Sequence, residues 1–313
     1  MVAVREAADA DVEAIHATCV AALTLDAVAA PALVDLLWTA DVNRRRVALV
    51  ADDGAGVVFA STGRAAAPDS SLAGDDALDG PPAVGYVDMF AVHPHAQGHG
   101  LGRALVTAAE ERLAGLGVGE VRFAGNPPGY AWPGIDVRYT PALCLAERLG
   151  YKRYQMALNM TVELSAGPSA GLSTDADVRR LAEVGVDVRT APMGRRAEVV
   201  EFVRTHWNDS WAWEVEHSSG CHYAVRSGEP LGFAAWGARP TWFGPMGTAP
   251  TARGLGIGRV LLQRCLAEQR DAGHTRAEIG WVGPLRFYSR AVGARAERVF
   301  ALYRRRLEVR AHV

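Results

Sequence analysis

The sequence predicts an α/β protein that consists of two copies of one domain. A strand, a glycine-rich loop and a helix follow one another in 86–106, and the same order returns 156 residues later, with Arg253 where the first copy has Gln97. A chain of 313 residues has room for two domains of ordinary size, each with its own core. The duplication and the length therefore predict the same organisation.

The first glycine-rich loop has three glycines at alternate positions, Gly98, Gly100 and Gly102. It follows an alternating apolar run in 86–92 and precedes a helical pattern. Glycine lets the backbone approach a ligand closely, and the N–H groups at the start of a helix attract an anion. The pattern therefore indicates a phosphate site, although loops before helices are also often rich in glycine for steric reasons alone.

The second glycine-rich loop, in 250–261, matches the first without a gap. Its Gly254, Gly256 and Gly258 stand where the first loop has its three glycines. A self-match at this period is longer than the repeats of solenoid proteins. It indicates that a whole domain has been duplicated, and both copies are expected to bind phosphate.

The spacing Gln97-Gly-x-Gly-x-Gly and Arg253-Gly-x-Gly-x-Gly resembles the pyrophosphate loop of the GNAT superfamily of acyl-CoA N-acyltransferases. The sequence has neither the Gly-x-Gly-x-x-Gly of a Rossmann fingerprint nor the Gly-Lys-Ser/Thr end of a Walker loop. The resemblance implies two tandem GNAT-type domains, each a mixed, mostly antiparallel central sheet flanked by helices. It also implies acetyl-CoA as the cosubstrate, held in the two copies by Val92, Gln97, Gly98, Gly100, Gly102, Arg103, Thr248, Arg253, Gly254, Gly256, Gly258 and Arg259.

The elements of the first copy follow from hydrophobic periodicity and turn residues. Val12, Ile15 and Cys19 recur at helical spacing after the first strand, and a second helix follows Pro31. A hairpin comes next, then the glycine loop with its helix, a further strand, a helix that ends at Gly150, and a closing strand. The predicted strands are 2–6, 46–51, 56–61, 86–92, 120–124 and 155–164, and residues 64–83 are predicted to form a mobile excursion.

The second copy repeats this order after a stretch of small residues. Its first strand is predicted at 186–190, its helical region at 195–216, and three strands at 221–248 lead to the second loop. The predicted division is an N-terminal domain in 1–164, a linker with a short helix in 165–185, and a C-terminal domain in 186–313.

Composition excludes several classes of function. A net charge of −2 gives no broad basic surface for nucleic acid or an anionic membrane. The four cysteines are scattered and form no Cys-x-x-Cys pair, so neither a zinc site nor a disulfide framework is indicated. The histidines in 93–99 and 217–222 lack a supporting acid or cysteine spacing, so no metal is expected there either. The sequence predicts neither a signal peptide nor a membrane-spanning helix. We expect a cytoplasmic monomer or homodimer whose partner is a small-molecule amine.

A rigid, aromatic segment in 125–141 follows the strand after the first loop. Its prolines fix the path, and Tyr130 and Trp132 offer flat faces with polar edges that suit a sugar or another amphipathic ligand. In that interpretation Tyr130, Trp132 and Asp136 line the substrate cleft. In the alternative interpretation the segment packs its aromatic rings against the neighbouring domain.

Acyl transfer to an amine needs a base for the ammonium proton and an acid for the departing thiolate. In many members of the superfamily the acid is a tyrosine on the last helix. That position holds Ala146 in the first copy and Tyr288 in the second, which has one extra residue before Gly293. We therefore expect Tyr288 to be the acid and the C-terminal copy to be catalytic, with packing as the alternative role of this ring.

The base has three candidates. Asp88 lies in the strand before the first loop, where relatives often carry an acid, but its counterpart in the second copy is Gly244. Glu214 and Glu216 follow a tryptophan cluster in the second copy. Acids near helix ends are often only solvated, so each assignment competes with that interpretation.

These features predict an acetyl-CoA-dependent N-acetyltransferase that acts on the amine of a small molecule, with an amino sugar as one candidate. Segments 128–136, 244–247 and 281–288 resemble bacterial glucosamine or glucosaminide N-acetyltransferases. The chain is unlike the tandem mycothiol synthases, whose second half normally carries an Asn-x-x-Ala-x-x-x-Tyr helix. Two other functions stay open, a non-catalytic CoA-binding sensor or scaffold and a protein or peptide N-acetyltransferase.

Overall fold

A computed structural model describes residues 3–39, 42, 44–63, 84–164 and 172–307. The excursion predicted at 64–83 and the first part of the predicted linker, 165–171, lie outside the described residues. The described residues form two compact units. Unit 1 contains those up to 157 together with 299–307, and unit 2 contains 158–164 and 172–298.

Unit 1 is a sheet with helices on both faces. Its helices are α1 Val12–Ala22, α2 Ala30–Thr39, α3 Leu101–Gly115 and α4 Thr140–Arg148. Its strands are β1 Val4–Glu6, β2 Arg46–Ala51, β3 Gly56–Gly63, β4 Val84–Val92, β5 Glu120–Phe123 and β6 Ile135–Asp136. The two longest strands, β7 Lys152–Glu163 and β13 Arg295–Arg306, each begin in one unit and end in the other.

Unit 2 repeats this architecture with one additional helix before its first strand. Its helices are α5 Asp175–Glu183, α6 Ala197–His206, α7 Asp209–Glu216, α8 Ile257–Asp271 and α9 Leu285–Val292. Its remaining strands are β8 Asp187–Thr190, β9 Gly220–Arg226, β10 Glu229–Trp236, β11 Trp242–Thr248 and β12 Arg276–Ile279.

The strand order is the same within the two units. In unit 1 it is β1-β2-β3-β4-β5-β13, and in unit 2 it is β8-β9-β10-β11-β12-β7. All neighbours are antiparallel except β4 with β5 and β11 with β12, which are parallel. The predicted mixed, mostly antiparallel sheet flanked by helices is therefore confirmed in both copies.

The division of the chain differs from the predicted boundary near residue 164. Strand β13, at the end of the second copy, pairs with β5 of unit 1, and β7, at the end of the first copy, pairs with β12 of unit 2. Backbone hydrogen bonds join the strands of a sheet and do not depend on side-chain identity. Hydrophobic alternation therefore located both strands but could not show which of two equivalent edges each strand joins.

The faces of β4 determine what surrounds the first glycine loop. Val87 and Phe90 lie in a core with α3 and α4, whereas Met89 and Ala91 lie in a second core with α1 and α2. Unit 2 likewise has one core with α8 and α9 and another with α6 and α7. Among the described residues, no helix is long and apolar enough to cross a membrane.

Candidate active site

Each glycine loop joins the last residue of a strand to a 15-residue helix, α3 in unit 1 and α8 in unit 2. Gly98 and Gly100 have φ of +80° and +90°, and Gly254 and Gly256 have +85° and +84°. Side chains rarely adopt this left-handed conformation, so glycine is required at these positions by the backbone. Gly100 and Gly256 are also the residues immediately before the helices, where N–H groups are left for an anion.

The first loop is open enough for a phosphate. A Cβ added to Gly98 or Gly100 would meet no described atom within 4 Å. The Gln97 side chain donates to the Val92 carbonyl at 2.9 Å, which fixes the start of the loop, and Arg103 is exposed in the first turn of α3. The positions expected to hold the cosubstrate in unit 1 therefore lie together and fit a pyrophosphate.

Asp88 occupies a β-bulge in the middle of β4. Phe59 pairs with Met89 and Ala60 pairs with Val87, so Asp88 is the extra residue on its strand. A bulge redirects a side chain and increases the local twist. In unit 2 the corresponding irregularity lies between the pairs Ala234–Met246 and Trp236–Phe243, and it contains Gly244 in place of an acid.

A polar network surrounds Asp88. The Ser61 hydroxyl hydrogen bonds to Asp88, and the Asn126 amide donates to that hydroxyl at 2.8 Å. Arg44 is also close to Asp88 and donates to the backbone carbonyls of Asn126 and of Gly129, the latter at 3.0 Å. Through Arg44 and Ser61, the start of the aromatic segment is therefore hydrogen-bonded to the surroundings of Asp88.

Two polar atoms in this network have no partner among the described residues, Asp88 Oδ1 and Arg44 Nε. Both side chains line a cavity of about 810 Å³ together with Trp38 and Phe59. A buried polar atom without a hydrogen bond costs about 1–3 kcal/mol, so each such atom needs an explanation. One is an acceptor and the other a donor, and a ligand that both donates and accepts would satisfy them together.

Burial raises the pKa of Asp88 to about 6, although Arg44 and the Ser61 hydrogen bond act in the opposite direction. The cause is desolvation, because a buried carboxylate loses the water that stabilises its charge. Burial also lowers the pKa of Arg44. A carboxylate with a pKa near neutrality in a cavity is a candidate general base.

The aromatic segment packs inside unit 1. Tyr130 is buried, and its ring lies against Gly125, where an added Cβ would meet Tyr130 Cδ2 at 2.6 Å. Trp132 packs on the core formed with α1 and α2. Asp136 is also buried and pairs with Arg138 at 2.7 Å. These three predicted substrate residues thus share one unit with Asp88, and Asp136 already has a cationic partner.

Glu214, a candidate base of the second copy, forms a buried ion pair in unit 2. Its carboxylate accepts from Arg239, and the two side chains are 8% and 2% exposed. The guanidinium of Arg239 also lies 4.4 Å from the centre of the Trp242 ring. To accept a proton, Glu214 would first have to break its ion pair with Arg239. Asp88 already has an oxygen without a hydrogen-bond partner among the described residues.

Tyr288 lies in the core of unit 2 that includes α8. It is 8% exposed, and its ring contacts Phe243 and Phe287. Burial raises the pKa of its hydroxyl well above the usual value. The Ala294 N–H donates to the Tyr288 carbonyl as the Tyr151 N–H does to that of Ala146, so Tyr288 and Ala146 occupy corresponding positions despite the extra residue.

The family model described as the acetyltransferase (GNAT) family matches the chain twice, over residues 29–130 and 192–293. The chain belongs to the acetyltransferase (GNAT) family. Both matches contain their copy's glycine loop, which confirms the predicted tandem arrangement. GNAT proteins generally use acetyl-CoA, and the open first loop fits its pyrophosphate.

Two GNAT relatives are similar over most of this chain, and both are named mycothiol acetyltransferase. The protein from Thermomonospora curvata is 29% identical over 219 residues, 64% of this chain and 65% of the relative. The protein from Geodermatophilus obscurus is 30% identical over 237 residues, 67% of this chain and 70% of the relative. The match thus spans just under two thirds of the first relative. This chain is similar to both proteins although it lacks the Asn-x-x-Ala-x-x-x-Tyr helix expected of the tandem mycothiol synthases.

Solved structures share the fold over nearly the whole chain. A fungal β-N-acetylglucosaminidase region, described as a GCN5-related glucosamine N-acetyltransferase, aligns with a TM-score of 0.72 at 18% identity. The alignment covers 97% of this chain and 38% of that one. A tandem GNAT protein from the clavulanic acid biosynthesis pathway aligns with a TM-score of 0.65 at 16% identity and covers 98% of both chains. At these identities the likeness concerns the fold alone.

Three residues of the polar network around Asp88 were missed by sequence reasoning, Arg44, Ser61 and Asn126. The only local signals are an arginine run at 44–46 and an asparagine before two prolines. Among the described residues, no group of three potential ligands could hold a metal ion. Of the predicted catalytic residues, Asp88 belongs to unit 1, and Glu214 and Tyr288 belong to unit 2.

Proposed function

We propose that this GNAT protein is an acetyl-CoA-dependent N-acetyltransferase that acts on a small amine, with unit 1 as its catalytic unit. The observation that carries the proposal is the buried Asp88 carboxyl, which has an unpartnered oxygen at a cavity and a pKa of about 6. The sequence alone favoured the C-terminal copy because of Tyr288. The ion pair of Glu214 and the packing of Tyr288 support the opposite assignment.

The chain's residues have separate roles in this proposal. Bound acetyl-CoA supplies an activated acetyl thioester, and the residues of the first loop from Gln97 to Arg103 hold its pyrophosphate. Asp88 accepts the proton that the amine must lose before its nitrogen can bond to the acetyl carbon. Because Ala146 offers no hydroxyl, the thiolate that departs when the C–S bond breaks takes the second proton, which the nitrogen loses as the amide forms.

The unpartnered Nε–H of Arg44 restricts which amines would fit the site as the acetyl acceptor. An amine that donates to Asp88 Oδ1 and carries a nearby oxygen that accepts from Arg44 Nε would satisfy both buried atoms. Amino alcohols have this chemistry, and amino sugars are among them. We therefore expect CoA release from a panel of amines to be faster with amino sugars than with simple alkylamines of the same size.

Both loops are expected to bind acetyl-CoA, so isothermal titration should give two sites per chain. Gly100→Val and Gly256→Val should each remove one site, because a β-branched residue at φ near +90° is strained and its side chain would lie where phosphate approaches. A single site in the wild type that is lost only with Gly256→Val would contradict binding at the first loop and the assignment of catalysis to unit 1.

Tyr288→Phe should change kcat by less than about threefold. The variant keeps the ring against Phe243 and Phe287 and removes only a buried hydroxyl. A general acid contributes about 10²- to 10⁴-fold to a rate, so steady-state kinetics separates the two roles clearly. A loss of 10²-fold or more would return the catalytic role to unit 2.

A further inference from the structure

The two glycine loops differ in the side chain that lies next to the glycine preceding each helix. A Cβ added to Gly100 in the first loop would meet no described atom within 4 Å, whereas one added to Gly256 would lie 2.9 Å from Nη2 of Arg180. Arg180 is on α5, the helix for which unit 1 has no described counterpart. A guanidinium therefore lies directly over the second loop, and no described side chain lies within 4 Å of the corresponding position at Gly100.

Contacts on both sides hold Arg180 at this position. Its Nη2 donates to the Leu255 carbonyl at 2.9 Å and lies 3.4 Å from Asp177. Asp177 in turn accepts two hydrogen bonds of 2.8 Å from Arg259 in the first turn of α8. The next residue of α5, Leu181, is completely buried in the core of unit 2, so the helix is fixed by packing as well as by charge.

The charges of this cluster favour an anion. Two guanidinium groups face one carboxylate, so the loop retains a net positive charge. The Arg180 side chain is 47% exposed, which leaves donors available after its bond to the Leu255 carbonyl. A phosphate bound by the N–H groups at the start of α8 would thus lie within reach of Arg180, and charge-assisted hydrogen bonds are the stronger kind.

We propose that Arg180 is a phosphate-binding residue of the second loop, supplied by the helix before β8, and that it makes this loop the tighter of two sites for a CoA thioester. The inference rests on the proposed function, because it presumes that the loops bind CoA. It adds a cation that neither the glycine pattern nor the first copy contains.

The test is calorimetric titration of acetyl-CoA into the full-length chain carrying Gly100→Val, which leaves only the second site. Arg180→Gln in this background should weaken binding about tenfold, because a charged donor to phosphate is lost. Arg180→Lys should restore affinity to within about threefold, since the charge is kept. Arg179→Gln is the matched control, because Arg179 is exposed on the same helix, and it should leave affinity unchanged.

A second probe separates phosphate binding from a structural role. S-acetylpantetheine carries the thioester but no pyrophosphate, so Arg180→Gln should leave its affinity unchanged. If Arg180→Gln lowers the affinity for both ligands equally, or does not lower the affinity for acetyl-CoA, the inference is overturned. The proposal that the loops bind CoA would still stand. Absence of acetyl-CoA binding by both the wild type and the Gly100→Val variant would overturn the proposed function and this inference with it.

Discussion

Asp88→Asn should lower kcat/KM by about 10²- to 10⁴-fold, the range for loss of a general base, with little change in acetyl-CoA affinity. Asparagine has nearly the same shape and keeps one carbonyl oxygen in the bulge, so the change removes the basic oxygen and its negative charge with little change in volume. The carboxyl must be ionised to accept a proton, and its pKa is about 6. The wild-type rate should therefore rise with pH through about 6, and this limb should be absent in the variant.

The same substitution should stabilise the fold at pH 8, which distinguishes a lost base from a damaged structure. The pKa of Asp88 is about 6 in the folded chain against an ordinary 3.8, so the folded state binds the proton more tightly. Above pH 6 the buried charge destabilises the fold by about 3 kcal/mol, and below 3.8 this cost disappears. Urea denaturation should show the gain at pH 8 and a smaller gain at pH 5. An inactive variant that is less stable at pH 8 would contradict the assignment.

The parts of the site that the sequence predicted are those determined by local backbone geometry. Gly98, Gly100, Gly254 and Gly256 all have positive φ, and both loops precede helices as expected. Such positions depend on a few neighbouring residues, because only glycine readily adopts that conformation. Hydrophobic alternation and helical spacing also depend on residues that are close together in the sequence, so they located strands and helices in both copies.

The parts that the sequence could not predict depend on which strands become neighbours. Arg44, Ser61, Asp88 and Asn126 are separated by 17 to 38 residues along the chain, and the sheet order brings them together. Nothing in a single sequence specifies that β3 and β4 place Ser61 beside Asp88. The position of α5 over the second loop is similar, since its amphipathic pattern predicts a helix but not the surface on which it packs.

Glu214→Gln should destabilise the protein by about 3–5 kcal/mol, because it removes the negative charge from a buried ion pair with Arg239. The effect follows from burial, since Arg239 is only 2% exposed and cannot turn to water without opening the core beside Trp242. Chemical denaturation at pH 7 measures it directly. Asp187→Asn is the control, because its pair with Arg189 is more than half exposed and should contribute less than about 1 kcal/mol.

This ion pair also decides whether Glu214 has a catalytic role. Replacement of both partners, Glu214→Met with Arg239→Met, should recover most of the lost stability, because a well-packed apolar pair avoids the desolvation cost of two charges. If Glu214 only stabilises unit 2, the double variant should also keep kcat within about threefold of the wild type. A stable double variant that has lost turnover by 10²-fold or more would make Glu214 the base. Asp88 would then have no catalytic role.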